Sequence, residues 1–421
     1  MLDFFKQLFR AKDLTKKILI VALLLVVVRL CAAIPIPGAD QAKLKLFFAQ
    51  NQFLGLVNIF SGGALSNFSV AMLGVQPYIT ATIILQLLTM VFPQLKLLYY
   101  EEGEQGRMKF NQYARVMTVF LGALQAFAFL NYLKSQGVIS SFTPIDLLLN
   151  ILLITAGSMF IMWLGELISE QQIGNGVSLI IFAGIIAGIP AAISSNIAVF
   201  DPSQIPAYLI FAAIGLITVV GVVLINDAER KIPVNYARRV RGMKVYGGVS
   251  SYLPIKVNQA GMIPIIFAIS ILLFPGFIAQ ILSVSKNQAL LNVAITLQSF
   301  LNNQLLYGIS YFVLVFMFTY FYTVITFEPH EISQNLQQQG GFIPGIRPGE
   351  NTASFLSQVL NRITFPGAVF LGLIAVLPLM VQGITGLSSL RLGGASILIV
   401  VSVALETIRQ IRAQLLMREY D

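Results

Sequence analysis

Residues Val57 to Leu88 read V-N-I-F-S-G-G-A-L-S-N-F-S-V-A-M-L-G-V-Q-P-Y-I-T-A-T-I-I-L-Q-L-L, and this stretch decides the fold. Its first part, Val57 to Leu65, is apolar but broken at Gly62-Gly63, far short of the roughly 20 residues a spanning helix needs. It must stop partway into a bilayer. Its second part, Met72 to Phe92, is long enough to cross but carries Gln76, Pro77, Thr80, Thr82 and Gln86, groups that hydrocarbon penalises. A half-segment followed by a polar-flecked span is the pattern of irregular backbone that membranes tolerate only where it lines a cavity. The alternative is a re-entrant loop that only packs.

Composition carries this reading to the whole chain. Of 421 residues, 57% are hydrophobic and 11% charged, with a mean hydropathy of +0.81, so the chain is a polytopic membrane protein. The basic, amphipathic start M-L-D-F-F-K-Q-L-F-R-A-K-D-L-T-K-K leads into an apolar run that reaches Pro35 and Pro37 without a small-residue cleavage site, which predicts a retained first span. A single cysteine, Cys31, and a single histidine, His330, argue against an internal disulfide and a zinc site. No cofactor is expected.

Ten stretches pass as spans: about Ile18 to Ile34, Met72 to Phe92, Val116 to Leu133, Ile145 to Leu164, Val177 to Ala198, Ile205 to Ile225, Met262 to Leu282, Leu305 to Phe327, Ile363 to Met380 and Ala395 to Ile408. With the N-terminus inside, 20 of the 27 Lys and Arg fall in cytoplasmic segments and 5 in outer loops. The positive-inside rule therefore places both termini in the cytoplasm. The densest basic segment, about 226–257, follows the sixth span close to the chain's midpoint, and the ten spans fall five and five on either side of residue 198. Because five is odd, the two halves, 1–198 and 199–421, enter the membrane from opposite sides, the topology of an inverted repeat with a site at its interface.

Within the spans strong charges are nearly absent: Arg29 lies near one end, and Asp146, Glu166 and Glu406 lie at or near ends. Ion-coupled transporters keep ionisable groups deep in the membrane, and an intramembrane hydrolase needs a placed nucleophile or paired acids; neither pattern is visible. Gly174-Asn175-Gly176 reads as a helix cap. What the spans do offer is uncharged polarity at Thr80, Gln86, Gln125, Asn258 and Gln259, singly interhelical glue and as a set a wettable seam. The polar segment Phe327 to Arg362 carries Gly-Gly and two Pro-Gly turns that hold Arg347 at a tip, either docking equipment or a solvated turn with an incidental charge.

Five motifs, occurring together and in order, closely resemble the bacterial SecY family, the channel subunit of the general protein-secretion translocon. They are G-V-Q-P-Y-I-T-A-T-I-I-L-Q-L-L, G-E-Q-G-R-M-K-F-N-Q-Y-A-R, M-W-L-G-E-L-I-S-E-Q-Q-I-G-N-G-V-S-L-I-I-F-A-G-I, L-P-I-K-V-N-Q-A-G-M-I-P-I-I-F-A and G-G-F-I-P-G-I-R-P-G-E-N-T. The resemblance implies an all-α fold of ten transmembrane helices in two inverted five-helix halves around a central pore. It implies a short re-entrant plug helix at about 57–67, with Asn58, Ile59, Phe60, Ser61, Gly62, Gly63, Ala64 and Leu65. It implies a pore ring of Val75, Ile79, Ile181, Ile185, Ile266 and Ile399, and a lateral gate at Thr80, Gln125 and Asn258. Arg238, Arg239, Arg241 and Arg347, on cytoplasmic loops at about 226–257 and 327–362, are implied to bind partners. Where many members have a second arginine after Glu-Arg in the first loop, this chain has Lys231, which puts a bidentate contact there in doubt.

The function so implied is a passive protein-conducting channel, not an enzyme, that moves unfolded secretory chains outward and releases apolar segments into the bilayer. Implied partners are SecE, SecG, the SecA motor, the ribosome, nascent chains and lipid, in a bacterial inner membrane or a thylakoid. Without the resemblance, a secondary transporter for a small uncharged solute suits the inverted halves equally well; the large cytoplasmic docking surface argues against it.

Overall fold

The computed structural model describes residues 11–36, 44, 58, 61, 63–65, 67–100, 102–135, 137–139, 143–198, 205–236, 239–241, 244–246, 250–283, 287–385 and 394–419. Before the basic segment lie α1 (Lys12–Ala33), α2 (Gln76–Val91), α3 (Pro93–Tyr100), α4 (Gly103–Ser135), α5 (Pro144–Glu170) and α6 (Gly176–Ala198). α7 (Ile205–Asp227) leads into four strands, β1 (Glu229–Tyr236), β2 (Arg239–Arg241), β3 (Lys244–Tyr246) and β4 (Ser250–Lys256). Then follow α8 (Ile263–Ser283), α9 (Gln288–Asn302), α10 (Gln304–Thr326), α11 (Pro329–Gln338), β5 (Gly341–Phe342), α12 (Glu350–Thr385) and α13 (Gly394–Glu419).

All ten expected spans are helical. Six are each long and apolar enough to cross a membrane unaided. The second departs from its expected bounds: Met72 to Val75 form turns, and α2 starts at Gln76 with Pro77 in its first turn, where a missing N–H costs nothing. α2 has only 16 residues and bends by 117° into α3, at Pro93, which cannot continue the preceding ladder.

The long helices pack in two sets. In the first, α1 lies against α5 and α6, α2 against α4 and α5, and α4, α5 and α6 follow one another; in the second, α8 packs on α10, α10 on α12, and α13 on both α7 and α12. Between the sets the principal contacts run along two lines, α8 against α2 and α4 on one edge and α6 against α13 on the other. α5 begins with a capping box, Thr143 and Asp146 exchanging side-chain and backbone bonds. At its other end, Asn175 Oδ1 accepts from Ser178 N at 3.1 Å, so Gly174-Asn175-Gly176 is the cap of α6, as its composition predicts.

The segment 327–362, expected as a polar connection, is instead α11, β5 and the start of α12. β5 pairs with β1, which pairs with β4, so both polar segments share one three-stranded sheet in the order β4-β1-β5. A separate apolar core, with Ile232, Val234, Ile255, Leu336, Ile343 and Leu356, binds sheet and helices into a small folded unit on one face of the bundle. The sequence hides this because β1 opens on Glu229, Arg230 and Lys231 and reads as part of a charge run. α9 was likewise not anticipated: its apolar residues lie among polar ones at helical spacing, so no window of it is long and apolar.

Close packing depends on Gly157. A Cβ there would lie 2.1 Å from the Val70 carbonyl oxygen, whereas at Gly188 it would meet nothing within 4 Å. Gly157→Ala must push the 68–75 turns off α5, at the usual overpacking cost of about 1–3 kcal/mol. The melting midpoint of the purified protein is expected to fall for Gly157→Ala and to hold or rise for Gly188→Ala.

Candidate functional site

Four of the six expected ring residues converge. Val75, at the turn entering α2, Ile79 one turn into it, Ile181 on α6 and Ile266 on α8 line one cavity together with Ser61, Leu73, Gln76, Ile269 and Ser270. Its volume is about 30 Å³, room for roughly one water molecule. Ile185 and Ile399 are buried in the same apolar cluster without lining the cavity. Sequence reasoning missed Ile269 and Ser270, although they lie three and four residues after Ile266 and so share its helix face. The Ser270 hydroxyl donates to the Ile266 carbonyl at 2.9 Å, which makes its contribution to the lining effectively apolar.

A larger cavity adjoins the constriction on one side. Beyond Ile79 and Ile266, toward the face that carries the folded unit, a cavity of about 610 Å³ is lined by Tyr78, Thr82, Gln86, Asn111, Arg115 and Glu166, among others. Arg115 Nε donates to Glu166 Oε1 at 2.9 Å, tying α4 to α5 across its wall. On the other side lie Ser61, Leu73 and Val75, from the turns before α2. The Ser61 hydroxyl donates to the Asn58 carbonyl and accepts from Leu65 N, and Gly63 N donates to the same carbonyl. Ala64 and Leu65 are fully buried. Gly63 and Gly74 have positive φ, +83° and +55°, which only glycine adopts without cost. Ile59, Phe60 and Gly62 lie outside the described residues.

The polar seam is not built as expected. The Thr80 hydroxyl donates to its own helix at the Gln76 carbonyl, 3.0 Å away, the usual resting place of a helical threonine. Gln125 is buried on α4, and its Oε1 has no partner among the described residues. Asn258 Nδ2 donates to Asn226 Oδ1 at 2.7 Å and to the Gly261 carbonyl at 3.1 Å, both within the second helical set. The three exchange no hydrogen bonds with one another among the described residues.

Of the four arginines, Arg347 stands on an exposed turn between Gly345 and Gly349, both at positive φ. Thr352 Oγ1 donates to the Arg347 carbonyl, and Ser333 Oγ to that of Gly349 at 2.6 Å, so the tip is fixed. Arg239 and Arg241 belong to the short β2–β3 ribbon, and Arg238 lies outside the described residues. Lys231 pairs with Glu229 at 3.4 Å in the open, a contact of little energetic weight.

A family model described as SecY matches residues 69–408. The protein translocase subunit SecY of Thermotoga maritima is 44% identical over 99% of this chain and 96% of its own length. The chain belongs to the SecY family. The corresponding subunit of Thermus thermophilus is 42% identical over 100% of this chain and 97% of its own. Among solved structures, one described as a protein conducting channel aligns with a TM-score of 0.62 at 18% identity, covering 94% of this chain and 91% of the other. Sec61 in the canine ribosome-channel complex aligns at 0.59 with the same identity and coverage. These two establish a shared fold, and with it the ten-helix architecture of a multi-pass SecY-family membrane protein.

Gln125 offers a test of the packing around it. Its buried acceptor lacks a partner, a state that costs about 1–3 kcal/mol. Gln125→Met is expected to leave the melting midpoint of the purified protein unchanged or to raise it. A fall of several degrees would mean that the side chain makes a hydrogen bond the described residues do not supply.

Proposed function

We propose that this chain is the pore subunit of a translocon that passes unfolded secretory polypeptides across a membrane and releases apolar segments sideways into lipid. One observation carries the reading: a mainly aliphatic cavity of about 30 Å³ meets, at Ile79 and Ile266, a polar-lined cavity of about 610 Å³. A narrow aliphatic waist excludes water and therefore ions, yet offers a passing chain no group to bind. Val75, Ile79, Ile181 and Ile266 form that waist, with Ile185 and Ile399 behind it. The segment Asn58 to Leu65 is the plug that leaves when a chain enters. The halves 1–198 and 199–421 part along the α2/α4–α8 edge, where Thr80, Gln125 and Asn258 lie, and stay joined along α6–α13. No step of this cycle calls for a catalytic group in the chain.

The folded unit around β1, β4 and β5 docks the ribosome and the SecA motor through Arg347, and Arg238, Arg239 and Arg241 join it in binding these partners. That canine Sec61 is described in a ribosome-channel complex supports this. SecE and SecG complete the assembly, in a bacterial inner membrane with both termini cytoplasmic; a thylakoid membrane suits the same chemistry. The fixed, exposed docking surface favours this reading over a small-solute carrier, which has no use for one.

Reconstituted with SecE and SecA, the chain should make a secretory precursor protease-resistant inside vesicles in an ATP-dependent manner; no protection would refute the reading. Replacing Ile79 and Ile266 together by Asn should wet the waist and raise the resting ion conductance of such vesicles. Unchanged conductance would remove these residues from the seal. Arg347→Glu should leave that conductance at rest unaltered and weaken SecA or ribosome binding, more at low than at high salt, because exposed charges are screened over about 10 Å at ordinary ionic strength.

A further inference from the structure

The short stretch between β4 and α8 is the cytoplasmic end of the helix proposed to line the gate, and it is held from three sides. Asn258 Nδ2 donates to Asn226 Oδ1 at 2.7 Å, and Asn226 Nδ2 donates in turn to Ser402 Oγ at 3.0 Å. Asn226 stands near the end of α7 and Ser402 is on α13; all three side chains are buried. Arg409, two turns further along α13, donates to the Asn226 carbonyl at 2.9 Å and pairs with Asp227. The backbone is held too: Val257 N donates to the Ala228 carbonyl at 2.9 Å. On the remaining side α12 comes so close that a Cβ on Gly367 would lie 2.6 Å from the Val257 carbonyl oxygen.

Every one of these partners belongs to α7, the residue that follows it, α12 or α13, in the second helical set. On the other flank α8 meets α2 and α4 through a buried apolar surface, in which Thr80 keeps its hydroxyl on its own helix. We infer that Asn226, Ser402 and Arg409 are positioning residues of the gate: through Asn258 they bind the base of α8 to the C-terminal half, so that α8 travels with that half when the two part. Without the anchor, α8 can lag behind on α2 and α4, and the path into lipid stays shut. Gly261, at a φ of +62° with open space around it, lies between the anchor and the helix and is where such a lag would be taken up.

This rests on the lateral-release reading, and the test separates the two. A series of test segments graded from Ala to Leu is passed through the reconstituted channel, and the composition that gives half insertion is recorded. Ser402→Ala removes a single oxygen, and Asn226→Leu breaks the relay. Both should move half insertion toward more leucine, by about one residue, since one interhelical hydrogen bond and one central leucine are comparable in size. Ser402→Thr, which keeps the hydroxyl, should restore the original point. Combining either variant with Asn258→Leu should add nothing, because all three act through one chain of bonds. Should Thr80→Leu or Gln125→Leu shift the point while Ser402→Ala and Asn226→Leu leave it alone, the anchor is refuted and lateral release stands. If none of the four shifts it, the reading beneath the inference falls as well.

Discussion

Everything in this molecule depends on closing a hole with branched aliphatic side chains. A pore that must pass an unfolded chain of any sequence can carry neither fixed charges nor hydrogen-bonding groups at its narrowest point, since either would hold the chain or admit ions. Valine and isoleucine meet that requirement, but they can meet at one level only if several helices present them at the same depth. The short α2, beginning at Gln76, is how two of them, Val75 and Ile79, arrive there. Ile181 and Ile266 come from helices of the two opposite sets, so in the proposed cycle parting the sets also opens the waist.

Around the waist, strength is distributed unevenly. The turns on its far side are fixed against α5 by the close approach of Val70 to Gly157, and the base of α8 is held by a relay of buried amides and a hydroxyl. The α2/α4–α8 edge, by contrast, has apolar packing and an orphaned Gln125 acceptor. In a bilayer, lipid replaces apolar packing at little cost, whereas a broken relay leaves buried polar groups unpaired. In the proposed cycle the edge held by apolar packing is therefore the one that separates.

Much of this is legible in the residues. The ten spans, the break at Gly62-Gly63, the absence of deep charges and the Asn175 cap all follow from hydropathy, spacing and turn chemistry. The pore ring could not be reached that way: Ile79 and Ile266 look like any other isoleucine in a span, and only motif likeness singles them out. The relay at Asn258 could not be read from the sequence, because an amide near the start of a span carries no sign of which neighbour it will choose: its partner Asn226 lies 32 residues away in the chain, and Ser402, which Asn226 reaches in turn, lies 144 away. The β4-β1-β5 sheet stayed hidden because β5 is two residues long, and a pairing that short is specified by the fold around it rather than by its own letters.

The central claim is that Ile79 and Ile266 face the path of a moving polypeptide. Photoreactive residues placed singly at these two positions, and at lipid-exposed Leu216 on α7 as the control, would be challenged with a secretory chain stalled in mid-passage. The account requires crosslinks to the stalled chain from both isoleucine positions, none from position 216, and their loss once the chain is released. Crosslinks absent from both, or as frequent from position 216, would contradict it.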